Sequence, residues 1–504
     1  MWARSSFESE IPEVCFVVPE RDRGGEDVLQ TRAIKEQFGP KAMSFEAPPF
    51  YPELTPSWIS CVLTALGRTR PDIASPYRFL VLGDGLDFHL ALTAAANPTG
   101  HFTGIDRDPF AEKAGAMIGW KAGLRNLTFL KKGMIELESM PEGALEPFDF
   151  MVINDDGIDF GEGGHCRILP FARRFLKEGG VVLLRYATDP AGAFFPLAEE
   201  MIHDAGLAEN PAMAPALAIL RRIGEQGSPE PRSPKALFSA DIISLMEGMG
   251  FTHAGSGEPL ENIDSAYLPD SVATLVSAIE NKALREAVKD IVRNQEGRLD
   301  LFQKGGATLS AGDHSIALSA QVFVPLPGAP PGGALTFETS TGVVKGAAEI
   351  FSPLLEALWL QPQSLGMLMH LPEFSGAPGL LNQASQMLLW ANYARPLLPK
   401  RISEDPAKAF NRIICALALS GWNYGYLAAP ALGGAVPAPV HAMVALVLLE
   451  KQGSLRGVEL QRAVAGRLGE CGIEFSERDK QELSVWESVI LPQWARFGII
   501  SLKA

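Results

Sequence analysis

The sequence is poor in the features that would place it in several common classes. Its five cysteines, Cys15, Cys61, Cys166, Cys415 and Cys471, are dispersed with no CxxC spacing, which argues against a disulfide or zinc framework and fits reduced thiols. All eight histidines are scattered, and the adjacent His165 and Cys166 have no further ligands at metal spacing, so no metal site is expected. There is no GxSxG and no GxxxxGK[ST], which leaves hydrolase-elbow and phosphate-loop readings without an anchor. Positive charge is in deficit: 44 Lys and Arg against 59 Asp and Glu give a net charge of −15. Such a field repels phosphate backbones, so nucleic acid is not expected as a partner. Residues 1–27 mix charges with short apolar pieces, unlike a secretory leader, and a cytoplasmic location is the expectation.

Long apolar runs are also missing. Residues 413–449 contain no Asp, Glu, Lys or Arg, but glycines and prolines such as Gly421, Pro430, Gly433 and Pro437 interrupt them. A transmembrane segment is therefore not expected, and the stretch reads as buried helix, irregular loop, buried helix.

At 504 residues with 47% hydrophobic side chains, the chain can bury more than one ordinary core. Two proline-rich segments, GSPEPRSP at Gly227–Pro234 and PLPGAPPGG at Pro325–Gly333, remove helix and central-strand options. They suggest an N-terminal extension over residues 1–44, an α/β block over 45–225, a mainly helical middle block over 235–324, and a helical block over 334–504. A terminal strand at Phe497–Ser501 would give the last block a winged-helix-like tail.

The first long block alternates apolar runs with helical stretches. Tyr77–Leu82, His101–Ile105, Leu127–Lys131, Phe148–Ile153 and Gly180–Arg185 read as strands, with helices over Leu86–Ala96 and Asp108–Leu124. Continuous apolar strands alternating with helices imply a parallel sheet covered on both faces, a Rossmann-like architecture. Helical spacing of Leu275, Ile279, Leu284 and Val288 predicts a helix over Ser271–Arg298, and another is expected over Val458–Leu468.

The most informative turn follows the first strand: Val81-Leu82-Gly83-Asp84-Gly85-Leu86-Asp87. A strand entering glycine and then a helix lets backbone approach a ligand whose charge meets the helix N-terminal amides. Asp106 closes the second strand roughly 20 residues beyond Gly83, where an acid can accept hydrogen bonds from ribose hydroxyls. Gly83, Asp84, Gly85 and Asp106 are thus candidate cofactor-binding residues, for a dinucleotide or S-adenosylmethionine. A nicotinamide dehydrogenase is disfavoured because Phe88 stands at the final glycine of GxGxxG.

The region Tyr51–Pro190 resembles class I S-adenosylmethionine-dependent methyltransferases. The whole chain resembles bacterial methyltransferases that carry a methyltransferase regulatory domain, a group that includes rickettsial protein-lysine methyltransferases acting on outer-membrane proteins. The matching segments are RFLVLGDG at Arg78–Gly85, FTGIDRDP at Phe102–Pro109, FDFMVI at Phe148–Ile153 and LKEGGVVLLRYATDP at Leu176–Pro190. They continue with GMGFTHAGSGE at Gly248–Glu258, VRNQEGRLDLFQKG at Val292–Gly305 and YLAAPALGGAVP at Tyr426–Pro437. The chain departs from the family pattern at Val81, usually acidic, at Asp87, usually glycine, at Gly133, where an acid would meet adenine, and at Asn154, often histidine.

The resemblance implies S-adenosylmethionine as cofactor and a protein lysine as acceptor. Asn154 and Tyr186, with Asp155 and Asp156, fall at the carboxyl ends of the fourth and fifth strands, the edge where open α/β sheets place ligands. Asn154 and Tyr186 are the candidate catalytic residues, although Asp and Asn after a strand are also ordinary turn formers. The alternative is a catalytically degenerate methyltransferase-fold scaffold or regulatory partner, favoured if the Asp87 carboxylate points into the cofactor pocket. Either way the expected partner is a protein, with a homodimer left open. The aromatic stretch WANYAR at Trp390–Arg395 reads as packing between blocks.

Overall fold

A computed structural model describes residues 47–83, 85–106, 114–154, 168–190, 192, 194–227, 236–266, 268–339, 342–398 and 403–501. Its centre is a seven-stranded sheet: β1 Tyr77–Leu82, β2 Gly100–Asp106, β3 Leu127–Lys131, β4 Phe148–Ile153, β5 Leu176–Ala187, β6 Phe251–Ser256 and β7 Gly297–Lys304. They lie in the order β3-β2-β1-β4-β5-β7-β6. Strands β1 to β5 pair in parallel, whereas β7 runs antiparallel to both β5 and β6. The sheet is Rossmann-like, with one reversed strand inserted between β5 and the edge.

Alternation along the strands divides the core. Phe79, Val81, Phe102, Phe150, Val152, Val181, Leu183, Leu299 and Leu301 face one side. Leu80, Leu82, Ile105, Met151, Ile153, Val182, Leu184 and Phe302 face the other. Both faces are covered, which explains why these strands read as continuous apolar runs. The first face meets the largely helical C-terminal region, with Phe88 stacked on Tyr424 at a ring separation of 4.7 Å. The second is covered by helices from the middle of the chain, among them Ser239–Gly248, Asp270–Ala278 and Lys282–Arg293.

The middle block is therefore not only helical. The expected helix over Ser271–Arg298 is two helices, split at Ile279–Asn281, followed by β7, and β6 and β7 complete the sheet begun by β1 to β5. Helical spacing of apolar residues marks the helices, but the LDLF run within β7 is buried on both faces and carries no distinguishing period. The proline-rich segment Gly227–Pro234 lies almost wholly outside the described residues, whereas Pro325–Gly333 is packed: Leu326 and Ala329 are buried and the Trp359 indole donates to Pro330 O at 3.0 Å.

In the C-terminal region the charge-poor stretch forms helices Asp405–Leu419 and Val440–Gln452 around an antiparallel pair, β8 Tyr426–Ala429 and β9 Gly434–Pro437, where an irregular loop was expected. Phe497–Ser501, expected as a strand, is irregular; Phe497, Ile499 and Ile500 are buried, so the apolar run reflects packing rather than sheet pairing. The helix expected at Val458–Leu468 spans Gly457–Glu470. No helix of the described residues is long and apolar enough to cross a membrane.

One buried ionic cluster locks the added strands in place. Arg298 on β7 donates Nε to Asp300 Oδ2 at 2.8 Å and Nη2 to Asp300 Oδ1 at 2.7 Å. It also pairs with Asp290 on helix Lys282–Arg293 and reaches Glu286 at 3.2 Å. Tyr186 on β5 donates to Asp300 at 2.7 Å, His253 on β6 lies 3.1 Å from the same carboxylate, and Ser239 donates to Asp290 at 2.5 Å. Burial opposes ionisation of Asp300, but Arg298 and His253 hold its carboxyl well below the usual range. Asp290 is pushed up to about 7 by burial, against the pull of Arg298.

Breaking a buried pair by removing one partner typically costs about 3–5 kcal/mol, because charge is left uncompensated. Arg298→Met is expected to lower unfolding free energy by about that amount, and Tyr186→Phe by about 1–2 kcal/mol. Urea denaturation of both variants measures this, and a loss below about 1 kcal/mol for Arg298→Met would contradict the role assigned to the cluster.

Candidate functional site

Strand order reverses beside β1, which has β2 on one side and β4 on the other, and this switch point is where open α/β sheets form a ligand crevice. The register brings three of the sequence-derived residues together. Leu82 pairs with both Ile105 and Ile153, so Gly83, Asp106 and Asn154 leave the sheet side by side at its carboxyl edge. The ladder extends into the turn: Gly83 N donates to Ile105 O at 3.4 Å, and Asn154 N donates to Leu82 O at 3.0 Å.

Gly83 has φ +123°, and a Cβ there would lie 2.9 Å from Asn154 Cβ, so both backbone conformation and space require glycine. Gly85 has φ +76°, and a Cβ built on it would meet nothing within 4 Å among the described residues. Asp106 is buried at 7% exposure. Asn154 Oδ1 is buried without a hydrogen-bond partner among the described residues, an acceptor beside the turn that a ligand donor would satisfy. Asp84, Asp155 and Asp156 lie outside the described residues.

Asp87, the departure that bears most on cofactor binding, opens helix Asp87–Ala96. Its Oδ2 accepts from Gly115 N in helix Ala114–Lys121 at 2.7 Å. The two helices touch backbone to backbone here: a Cβ on Gly115 would sit 2.3 Å from the Asp87 carbonyl carbon. The Asp87 carboxylate thus helps to bind one helix to its neighbour. The turn fits a cofactor that offers hydrogen-bond donors and needs close backbone approach.

Tyr186 is not at this crevice. It faces the second core, 2% exposed, with its hydroxyl committed to Asp300. Burial, then the neighbouring Asp300, raises its ionisation well above the usual phenol range.

A second group at the same edge was not singled out from sequence. Because β6 lies antiparallel to β7 and β7 antiparallel to β5, β6 ends on the same side as β5, and Glu258 follows it. Arg185 on β5 lies over the Tyr51 ring, 4.7 Å from its centroid. Glu258, partly buried, is pushed up to about 8 by burial and then by Glu261 and Glu53, against the field of Arg185. Glu53 is likewise raised, chiefly by burial. His89, buried and stacked on Phe50 at 5.0 Å, is pushed down to about 4 by burial and is neutral. Arg185 and Glu258 lie within segments already matched to the methyltransferase pattern, Leu176–Pro190 and Gly248–Glu258, but spacing gave no sign that the field of one would reach the other.

Comparison with known proteins agrees with this architecture. Residues 232–304 match the model of a predicted methyltransferase regulatory domain, the segment that supplies β6, β7 and the Arg298 cluster. The chain is similar to PKMT2 from Rickettsia typhi, with a TM-score of 0.56, 13% identity and coverage of 90% of this chain and 99% of that one. The structure of PKMT2 in complex with AdoHcy superposes with a TM-score of 0.58 at the same identity and coverage. An uncharacterized protein from Synechocystis sp. is 22% identical over 441 residues, covering 80% of this chain and 85% of its own. The chain therefore has a methyltransferase fold: a mixed, Rossmann-like sheet flanked by helices and followed by a largely helical region.

The raised Glu258 carboxyl has a consequence for stability. In the unfolded chain it releases its proton near 4.5, whereas in the fold it keeps it to about 8. The folded state thus binds the extra proton between those values, and stability from this group falls as pH rises from about 4.5 to about 8. Glu258→Gln, permanently neutral, is expected to gain stability relative to the wild type as pH climbs through that window. Denaturation midpoints for both chains at pH 5, 6, 7 and 8 measure it, and a constant difference would rule it out.

Proposed function

We propose that this chain is an S-adenosylmethionine-dependent methyltransferase acting on a protein substrate, with a lysine amine as acceptor. The observation that carries the reading is the glycine turn at the switch point, where buried Asp106 and Asn154, whose Oδ1 has no partner among the described residues, lie beside Gly83. The extended likeness to PKMT2 supports the protein acceptor, and the structure of that protein with AdoHcy supports the cofactor.

The cofactor would supply a methyl group made electrophilic by its sulfonium. Gly83 and Gly85 would admit it to the backbone, Asp106 would accept from its ribose hydroxyls, and Asn154 Oδ1 would accept a further donor. Methyl transfer needs chiefly proximity and alignment. An acceptor amine must also lose a proton from a group with a reference value near 10.4. Glu258 keeps its own proton to about 8, so it is suited to receive the amine's only above that value, with Arg185 and Tyr51 holding that side of the crevice. Tyr186 acts in this reading as a positioning residue, anchoring β5 to β7 through Asp300. The engagement of Asp87 by Gly115 favours catalysis over the scaffold reading.

Calorimetric titration with S-adenosylmethionine and S-adenosylhomocysteine tests the proposal. Micromolar binding is expected, weakened at least tenfold in Asp106→Ala, together with transfer of labelled methyl from the cofactor to lysine in a protein acceptor. Absence of binding to both compounds by the folded chain would instead support a scaffold.

A further inference from the structure

A cavity of about 490 Å³ lies between the start of the described chain and the C-terminal region, away from the glycine turn. Its walls include Phe50, Tyr426, Trp486 and Trp494, and its polar side is formed by Asn392 and Arg395. The volume is within the range of small-molecule sites, about 300–1,000 Å³.

Arg395 is the unusual member. It is 7% exposed, and its only hydrogen-bond acceptor among the described residues is the neutral Asn392 Oδ1, which takes Nε at 3.1 Å and Nη2 at 2.6 Å. The guanidinium also lies over Trp58, 5.2 Å from the ring centroid. It makes no ion pair with a carboxylate among the described residues, and Glu53 acts on it only through its field. Burial accordingly pulls it down to about 10. A buried cation without a counter-ion is costly, and here it borders a cavity large enough to admit one. The Trp486 and Trp494 indole N–H groups are also buried without acceptors among the described residues, and both residues line the cavity.

We propose that this cavity binds a small ligand carrying one carboxylate on an apolar body, with the carboxylate against Arg395 and the body among Phe50, Tyr426 and the two tryptophans. Guanidinium and carboxylate match in a planar, charge-assisted fork. A lysine or methylated amine is excluded, since an aromatic cage recognises a cation and this one already has a fixed positive charge. The site is therefore distinct from an amine acceptor site, although Phe50 is joined directly to Tyr51 beside Arg185. It does not rest on the methyl-transfer reading.

Phenylacetate and its neutral isostere phenylacetamide probe the full-length chain, followed by calorimetry and intrinsic tryptophan fluorescence at pH 7. Saturable binding of phenylacetate is expected, at least tenfold tighter than that of the amide and lost in Arg395→Gln. Asn392→Asp gives Arg395 a counter-ion from within the protein without removing a side chain. It is expected to raise Tm while weakening phenylacetate at least tenfold, which keeps the test decisive if Arg395→Gln does not fold. Phenylacetate binding that persists in Asp106→Ala separates this site from the cofactor crevice. No saturable phenylacetate binding, equal affinity for the amide, or unchanged affinity in Asn392→Asp overturns the proposal.

Discussion

A guanidinium surrounded by carboxylates in the interior is what joins the middle of this chain to its first half. Arg298 reaches Asp300 on its own strand and Asp290 and Glu286 on the preceding helix, while Tyr186 from β5 and His253 from β6 converge on Asp300. None of these groups can be withdrawn without leaving charge or a polar atom in an apolar interior. The cluster therefore couples three strands and the helices above them, and the segment matching a methyltransferase regulatory domain is built into the sheet.

That coupling shapes the edge on which a ligand would act. With β7 reversed, β6 returns parallel to β5 and delivers Glu258 to the side already occupied by Gly83, Asp106 and Asn154. The two halves of the crevice then differ in character. The β1 and β2 side offers open backbone and an acid suited to sugar hydroxyls, whereas the β5 and β6 side offers Arg185, Tyr51 and a carboxyl whose proton is retained near neutrality. The C-terminal region closes the sheet face behind the glycine turn through Phe88 and Tyr424, and it forms a separate cavity around Arg395.

The strands β1, β3 and β4 were legible in sequence to the residue because each is a short apolar run bounded by turn formers, and β2 and β5 were legible with shorter ends. The turn at Gly83 was legible because glycine, strand and helix follow one another locally. Strand β7 lies almost wholly beyond the end of the expected helix and was missed because a strand buried on both faces has no period of its own. Tyr186 was placed on the right strand, but adjacency along β5 could not reveal which way its hydroxyl turned; its acceptor Asp300, on the neighbouring strand β7, decided that. Asp87 raised a conflict in sequence that Gly115, far along the chain, resolved by accepting close approach.

The sequence by itself determined the Rossmann-like alternation, the glycine turn with Asp106 beyond it, and the resemblance to methyltransferases, since each depends on neighbouring residues or on an ordered string of motifs. Tertiary contacts alone placed β6 and β7 in the same sheet, brought Glu258 and Arg185 to its edge, and set Arg395 against a cavity shared with Phe50 and Trp494. Those outcomes arise from residues distant in the chain meeting in a low-dielectric interior, where the energy of a charge is set by its surroundings in space rather than by its neighbours in sequence.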